Sequence, residues 1–219
     1  MNRTRARELA QSFLAEGDAV GWFDALYSEA GDDASRVPWA DLVPNPNLVE
    51  WLKANGVQGN GRRALVIGCG LGDDAEVLAG LGFEVTAFDV SSTAINWCRN
   101  RFPNSAVSYQ AADLLALPVE WHGAFDLVVE VYTLQVLPTD IRPVAMRAMA
   151  DCVTADGSLL VIARGREPQD DPGQMPWPLT RQELAVLTES GLTEFLFEDF
   201  LDGESPPVRR FRVEYRKSI

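Results

Sequence analysis

From residue 64 onward, the chain alternates short apolar runs with amphipathic helical segments. Helices are expected over residues 74–81, 92–101, 140–152 and 180–190. Alternation of this kind is typical of a mostly parallel sheet covered by helices on both faces. We therefore predict an α/β fold with a doubly wound, mostly parallel, seven-stranded sheet. Its expected strands are ALVIG, FEVTAFDV, AVSYQAAD, FDLVVEVY, SLLVIAR, FLFEDF and RRFRVEYRK.

The two ends of the chain depart from this alternation. The last two strand-like runs are joined only by the loop LDGESPP, which is too short for a helical crossover, so the last strand should pair antiparallel. Residues 1–60 carry a helix over 5–16, the aromatic stretch WFDALY, a polar loop and the short helix LVEWLKANG. We predict one domain over residues 1–219, in which 1–60 form a helical extension or lid and 61–219 form the α/β core.

Composition narrows the classes of function. The net charge of −13 opposes binding to nucleic acid or anionic lipid, because such binding neutralises phosphates with Lys and Arg. No apolar run is long enough to cross a bilayer, and the first twenty residues lack a signal-peptide core, so we expect a cytoplasmic protein. Three scattered cysteines and one histidine favour neither a disulfide framework nor a metal site. We expect a small-molecule substrate and a monomer or weak dimer.

The segment after the first strand holds Gly68, Gly70 and Gly72. Glycine tolerates positive φ and has no Cβ, so a ligand can approach the main chain closely at this turn. In a doubly wound sheet, ligands bind beyond the carboxyl ends of the strands, where the turn lies. The third glycine comes one residue too early for the dinucleotide pattern G-x-G-x-x-G. The next residues, Asp73 and Asp74, suit a cationic amino group or sulfonium, or simply the helix dipole.

Two further aspartates end neighbouring strands. Asp89 closes the second strand, 21 residues after Gly68, where a carboxylate can accept both hydroxyls of a ribose. Asp113 closes the third strand, where it can accept from an adenine amino group or stabilise a turn. The sequence therefore predicts a nucleoside site shared by the glycine turn and these two strand ends.

At these residues the sequence resembles the class I S-adenosylmethionine-dependent methyltransferases, a Rossmann-like family, from Trp22 to the C-terminus. Such enzymes often carry an acidic residue two places before the first glycine, where this chain has Val66. The thiopurine S-methyltransferases and the related halide and thiol methyltransferases lack that acid too. Three segments are similar to the cofactor turn, fourth strand and substrate loop of that branch: GCGLGDDAEVLAGLGFEVTAFDVSSTAI, FDLVVEVYTLQVLPTDIR and PGQMPWPLTRQEL.

The resemblance implies S-adenosylmethionine as cofactor and methyl transfer to a small-molecule nucleophile. Within that class, a thiol, thiopurine-like sulfur or halide is the expected acceptor, and O- or N-methylation of a small metabolite is the alternative. An NAD(P)-dependent oxidoreductase is opposed by the glycine spacing and by the missing Tyr-x-x-x-Lys pair. A non-catalytic protein that binds the cofactor on the same fold is the remaining alternative.

The resemblance and the spacing together imply a set of contact residues, several of which could equally serve packing or ion pairing. Cofactor contacts are expected at Trp22, Trp39, Gly68, Gly70, Gly72, Asp74, Asp89, Val90, Ser91, Asp113, Leu114 and Glu130. Substrate contacts are expected at Tyr132, Arg142, Arg164, Trp177 and Arg210. By the resemblance, Arg142 and one of Arg209 or Arg210 meet an anionic substrate. Glu130 and Tyr132 are expected to position the reactants, with Glu130 holding the methionine amine in preference to acting as a base. No dedicated base is required for an anionic nucleophile, because alignment supplies much of the rate.

Overall fold

A computed structural model describes residues 3–31 and 33–218. Its strands are β1 Arg63–Ile67, β2 Glu84–Asp89, β3 Ser108–Ala111, β4 Phe125–Val131, β5 Val153–Arg164, β6 Leu192–Leu201 and β7 Arg209–Lys217. They form one sheet in the order β3-β2-β1-β4-β5-β7-β6. Strands β1 to β5 pair in parallel, whereas β7 runs antiparallel to both β5 and β6. The predicted mostly parallel, seven-stranded sheet with an antiparallel last strand is confirmed.

Helices cover both faces of this sheet. In the described part of the chain they are α1 Arg3–Ala15, α2 Gly21–Ala30, α3 Pro46–Ala54, α4 Asp73–Gly80, α5 Ser92–Arg101, α6 Arg142–Cys152 and α7 Ala185–Glu189. Successive side chains of a strand point to opposite faces. Along β1, Ala64 and Val66 pack with α3, α4 and α5, while Leu65 and Ile67 pack with α6 and α7. Apolar residues on both faces explain why the central strands are apolar throughout.

Helix α7 is shorter than the sequence pattern indicates. Residues 181–184 form turns, and the helix extends only over Ala185–Glu189. A reciprocal pair of bonds joins Thr180 and Glu183, whose backbone amides each donate to the other's side chain. Glu183 also accepts from two arginines, Arg142 and Arg166. Glu183 thus joins the start of this segment to two arginines, and the regular helix begins at Ala185.

The N-terminal helices occupy two different places. Helix α3 packs into the core on the sheet through Leu48 and Trp51. Helices α1 and α2 pack against one another and against Met175, which belongs to the long loop after β5. None of the helices in the described residues is long and apolar enough to cross a bilayer.

Candidate functional site

A cavity of about 910 Å³ opens at the edge of the sheet where β1, β2 and β4 end. Gly68 and Gly70 line it on the side of the sheet. Residues of α2 and of the loop after it line the opposite wall. Because the carboxyl ends of parallel strands meet at one edge, the site lies where a doubly wound sheet binds its ligand.

All three glycines of the first turn need the freedom that glycine provides. Their φ angles are +58° at Gly68, +53° at Gly70 and +91° at Gly72. A Cβ on Gly68 would lie 2.4 Å from Oγ1 of Thr133, and one on Gly72 would lie 2.6 Å from the hydroxyl of Tyr109. A Cβ on Gly70 would instead point at the cavity residues Tyr27 and Trp39. Gly68 and Gly70 line the cavity, whereas Gly72 does not and instead lets Tyr109 of β3 pack closely against the start of α4.

Asp89 joins the end of β2 to this turn. Its carboxylate accepts from the backbone amides of Gly70 at 3.0 Å and Ser91 at 2.9 Å. Burial raises the pKa of Asp89 to about 6, although the two amides act in the opposite direction. The side chain also borders the cavity, so one carboxylate can both fix the turn and present lone pairs to a ligand.

Val90 lines the cavity, whereas the side chain of the neighbouring Ser91 bonds to other parts of the protein. The Ser91 side chain is fully buried and accepts from the Ala94 amide at 3.0 Å, which caps helix α5. Its hydroxyl donates to Asp24 of α2 at 2.6 Å. Ser91 therefore links Asp89 to the N-terminal segment, and its expected cofactor contact stays a prediction.

Aromatic side chains from α2 and the following loop form the outer wall. Phe23, Tyr27 and Trp39 line the cavity, and Nε1 of Trp39 donates to the Tyr27 hydroxyl at 2.7 Å. Trp22 does not line it; its ring is buried against Phe23 and the side chains of α1. Residues four apart share a helix face, and of α2 the residues that line the cavity are Phe23 and Tyr27; the expected contact of Trp22 stays a prediction. That spacing within WFDALY was the signal that sequence reasoning missed.

Three predicted cofactor residues beyond the glycine turn and Asp89 also border the cavity: Asp74, Asp113 and Leu114. Asp74 accepts from the backbone amide of Asn45 at 2.7 Å, and burial raises its pKa to about 6. Asp113 accepts from the amide of Leu115 at 2.9 Å and starts a 3-10 turn over Leu114–Ala116. The structure thus shows Asp113 stabilising a turn, which is one of the two roles left open for it. Its position beside the cavity is also compatible with the second role, a contact with an adenine amino group.

Glu130 does not face the cavity. It is fully buried, and its Oε1 accepts from the backbone amides of Thr133 at 2.6 Å and Leu134 at 3.0 Å. Its Oε2 is buried without a hydrogen-bond partner, and burial raises the pKa to about 7. The structure directs the carboxyl group at the backbone of its own turn, so it does not support the predicted contact with the methionine amine, which stays a prediction.

That turn presents Tyr132 to the cavity in a strained conformation. Tyr132 has a φ of +67°, which is uncommon for a residue with a Cβ. Its hydroxyl accepts from Nδ2 of Asn47 at 3.1 Å, and the guanidinium of Arg210 lies 4.4 Å from the centre of its ring. Strain of this kind is characteristic of functional sites and requires support from neighbouring groups, which Glu130 supplies here.

The arginines predicted to meet substrate fall into two groups. Arg142 is buried away from the cavity, where it donates to Glu183 at 2.8 Å and to the carbonyl oxygens of Leu137 and Trp177. Because these partners use its guanidinium, the structure does not support the expected substrate contact of Arg142, which stays a prediction. Arg164 and Arg210 do line the cavity. They are paired across β5 and β7, and each has one buried nitrogen without a hydrogen-bond partner, Nε of Arg164 and Nη1 of Arg210.

The loop after β5 contributes residues other than the one expected. Trp177 does not line the cavity; its backbone amide donates to the carbonyl oxygen of Gln135 at 2.6 Å. Met175 and Pro176 line the cavity in its place. The structure thus places other residues of the same Pro-rich segment at the cavity, and the expected contact of Trp177 stays a prediction. In the described ranges, no group of three or more His, Cys, Asp or Glu side chains is arranged to hold a metal ion.

The sheet order, the glycine turn and the acidic end of β2 define the class I methyltransferase fold. Residues 64–157 match the family model described as a methyltransferase domain. Residues 64–157 are therefore similar to a methyltransferase domain.

Three similar proteins illustrate the range of this class. The chain is 28% identical over 163 residues to probable thiol methyltransferase 2 of Arabidopsis thaliana, covering 72% of this chain and 67% of that protein. It is 30% identical over 149 residues to the ubiquinone biosynthesis O-methyltransferase of Bordetella avium, covering 67% and 61%. A crystal structure of 1,6-didemethyltoxoflavin-N1-methyltransferase from Burkholderia thailandensis, with bound S-adenosylhomocysteine, superposes with a TM-score of 0.70 at 17% identity, covering 97% and 91%. The chain spans 61–67% of the length of the two curated relatives.

Proposed function

We propose that this protein transfers the methyl group of S-adenosylmethionine to a small anionic nucleophile, with a thiol, a thiopurine-like sulfur or a halide as the favoured acceptor. One observation carries the proposal: a single cavity is lined at one side by Gly70 and Asp89 and at another by Arg164 and Arg210. A surface suited to a nucleoside and two cationic side chains suited to an anionic acceptor therefore border the same cavity.

The residues present fit the cofactor. Gly70 supplies a main-chain surface without a Cβ, and Asp89 supplies a buried carboxylate suited to ribose hydroxyls. Asp113 and Leu114 would flank the adenine, and Asp74 would receive the amino group of the methionine part. The absence of a third glycine at dinucleotide spacing and the carboxylate of Asp74 both disfavour a pyrophosphate.

When bound, S-adenosylmethionine supplies a methyl carbon whose bond to a cationic sulfur breaks as the bond to the acceptor forms. The residues of this chain align and desolvate the partners. Phe23, Tyr27 and Trp39 would exclude water, and their ring faces attract a cation. Arg164 and Arg210 would hold the acceptor's negative charge. An acceptor that is already anionic needs no general base, and alignment alone contributes about 7–11 kcal/mol to lowering a barrier of this kind.

The N-terminal segment is proposed to act as a lid over this cavity. Helix α2 contributes Phe23 and Tyr27 to the wall, and the loop after it contributes Trp39. Asp24 ties the helix to the cofactor side by accepting from the Ser91 hydroxyl and from the Thr93 amide. Movement of α2 would therefore open the cavity and loosen the Asp89 end of the site together.

O- or N-methylation of a small metabolite is the second candidate. It is supported by the similarity to the Bordetella avium O-methyltransferase and to the fold of the Burkholderia thailandensis N-methyltransferase. The thiol methyltransferase of Arabidopsis thaliana supports the sulfur acceptor to a similar degree. The acceptor atom depends on side chains beyond the shared domain, so it has to be measured.

The test has two stages with purified protein. First, thermal unfolding is followed with S-adenosylhomocysteine or NADH; a bound ligand at 100 times its Kd adds about 2.7 kcal/mol of stability. We expect S-adenosylhomocysteine, but not NADH, to stabilise the protein. Second, release of S-adenosylhomocysteine from S-adenosylmethionine is measured with panels of thiols, halides, phenols and amines. Turnover with thiols or halides supports the favoured acceptor, and turnover confined to phenols or amines supports the second candidate. Binding without any turnover would contradict methyl transfer.

A further inference from the structure

Two of the arginines that line the cavity, Arg164 and Arg210, have one permanent and one exchangeable counter-ion. Arg210 donates from Nε to Asp202 at 2.6 Å and from Nη2 to Glu204. The Asp202 side chain is 5% exposed and also accepts from the amides of Glu204 and Val208, so it is part of the hairpin loop structure. The Glu204 side chain is 47% exposed, and Arg210 is the partner that the structure gives it. Asp202 is therefore built into the loop, whereas Glu204 can leave.

The departure of Glu204 would leave a net positive charge at the cavity wall. Arg164 and Arg210 are directly paired across β5 and β7, and both border the cavity. Burial lowers the pKa of the Arg164 guanidinium, and the charge of Arg210 lowers it further, whereas Glu204 raises it. With Asp202 as the remaining anion, two guanidinium groups would face one carboxylate. Each guanidinium group also has one buried nitrogen without a hydrogen-bond partner, Nε of Arg164 and Nη1 of Arg210, so the protein's own acceptors do not saturate the pair.

We propose that Glu204 is a specificity-determining residue: it occupies the Arg164–Arg210 pair as a tethered anion and is displaced by the anionic group of the acceptor. This inference rests on the proposed function, because it assumes that the acceptor enters the same cavity. A neutral acceptor forms no bond that replaces the ion pair, so it leaves Glu204 in place and does not enter the site at the two arginines. An anionic acceptor displaces Glu204, because it exchanges one anionic partner of Arg210 for another.

The test compares benzoate with its neutral isostere benzamide on protein saturated with S-adenosylhomocysteine, by isothermal titration. Wild-type protein should bind benzoate in preference to benzamide. Glu204→Gln removes the competing charge and should tighten benzoate binding about three- to fivefold, the range for a partly exposed ion pair, with benzamide unchanged. Glu167→Gln is the matched control: Glu167 pairs with the neighbouring Arg209 but does not line the cavity, and this variant should bind as wild type does.

Two results would overturn the proposal. Benzoate binding that is unchanged or weaker in Glu204→Gln would show that Glu204 does not compete for the arginines. Equal tightening of benzoate and benzamide would show that it is a steric obstacle without charge selectivity. Saturating the protein requires a first titration with S-adenosylhomocysteine, and a failure to bind at that step contradicts the proposed function. The benzoate comparison that follows reports on Glu204 and the arginines alone.

Discussion

The backbone amide of Gly70 donates to the carboxylate of Asp89 over 3.0 Å, which joins the first turn of the sheet to the end of the second strand. The two residues are 19 positions apart in the chain. One carboxylate thus sets the shape of the glycine turn and borders the cavity that the turn helps to form. The assignment of the cofactor site depends on this contact, and it can be tested from both residues.

Asp89→Ala should weaken S-adenosylhomocysteine binding by about 1.5–3 kcal/mol, because hydrogen bonds to a charged group are lost. Isothermal titration measures this change. Asp126→Ala is the matched control: Asp126 also accepts a backbone amide, that of Arg63 at 2.8 Å, but at the opposite edge of the sheet. It should leave the affinity unchanged. Equal affinities in the wild type and Asp89→Ala would place the cofactor elsewhere.

Gly70→Ala should impair cofactor binding as well as folding. A Cβ at Gly70 would lie 3.3 Å from the Tyr27 hydroxyl and would project into the cavity. The positive φ itself costs a non-glycine residue about 1–2 kcal/mol. Gly61→Ala separates the two effects, since Gly61 has a φ of +77° with nothing near its Cβ position. Both variants should lose stability in urea, but only Gly70→Ala, and still more Gly70→Val, should lose affinity for S-adenosylhomocysteine. Comparable affinity losses in both would indicate backbone strain as the cause.

Glu130 should make the protein less stable as the pH rises. Burial raises its pKa to about 7, whereas a glutamate in an unfolded chain titrates near about 4.3. Between these values the folded state binds more protons than the unfolded state, so the free energy of unfolding falls with increasing pH. Its contribution is complete below the unfolded pKa and is lost as the pH passes through about 7.

Glu130→Gln removes this titration and keeps an acceptor for the amides of Thr133 and Leu134. Urea unfolding at pH 5 and pH 8 should therefore show a smaller loss for the variant, by up to about 3 kcal/mol. Glu130→Ala is the companion variant, because it leaves both amides without an acceptor and should destabilise at either pH. An identical pH dependence in wild type and Glu130→Gln would contradict the assignment.

Arg142 and Arg164 should respond in opposite ways to the same substitution. Arg142→Met breaks a buried ion pair with Glu183, which is expected to cost about 3 kcal/mol or more of stability. Benzoate binding should not change, because Arg142 does not line the cavity. Arg164→Met should weaken benzoate binding and change stability little, since it removes a buried charge that Arg210 already disfavours. Urea unfolding and isothermal titration provide the two measurements, and the reverse pattern would show that the arginines have been assigned wrongly.

Much of the fold could be predicted because its signals are local. The helix expected over residues 92–101 is observed as Ser92–Arg101, and the seven apolar runs correspond to the seven strands of the sheet. The positive φ angles of Gly68, Gly70 and Gly72 agree with the glycine turn predicted after the first strand. Helix α7 is the exception, since residues 181–184 form turns and the regular helix begins at Ala185.

The position of the candidate site could be predicted from the sequence, but only some of the residues that line it could. Asp89 and Gly70 were expected at the cavity and line it, because strand ends and tight turns are read from short segments. Glu130 ends a strand in the same way, yet its carboxyl group turns back onto its own backbone. The pattern of residues around Glu130 does not distinguish a side chain that faces a ligand from one that supports a turn.

The sequence by itself determined the order of strands and helices, the glycine turn and the acidic strand ends, since periodicity and backbone preference act over a few residues. Only the tertiary structure decided that Arg164 and Arg210 border the cavity while Arg142 is held by Glu183. It also decided that the carboxylate of Glu204 pairs with Arg210. The physical reason is that the role of a charged side chain depends on which counter-charges lie within a few ångströms, and those come from parts of the chain that only folding brings together.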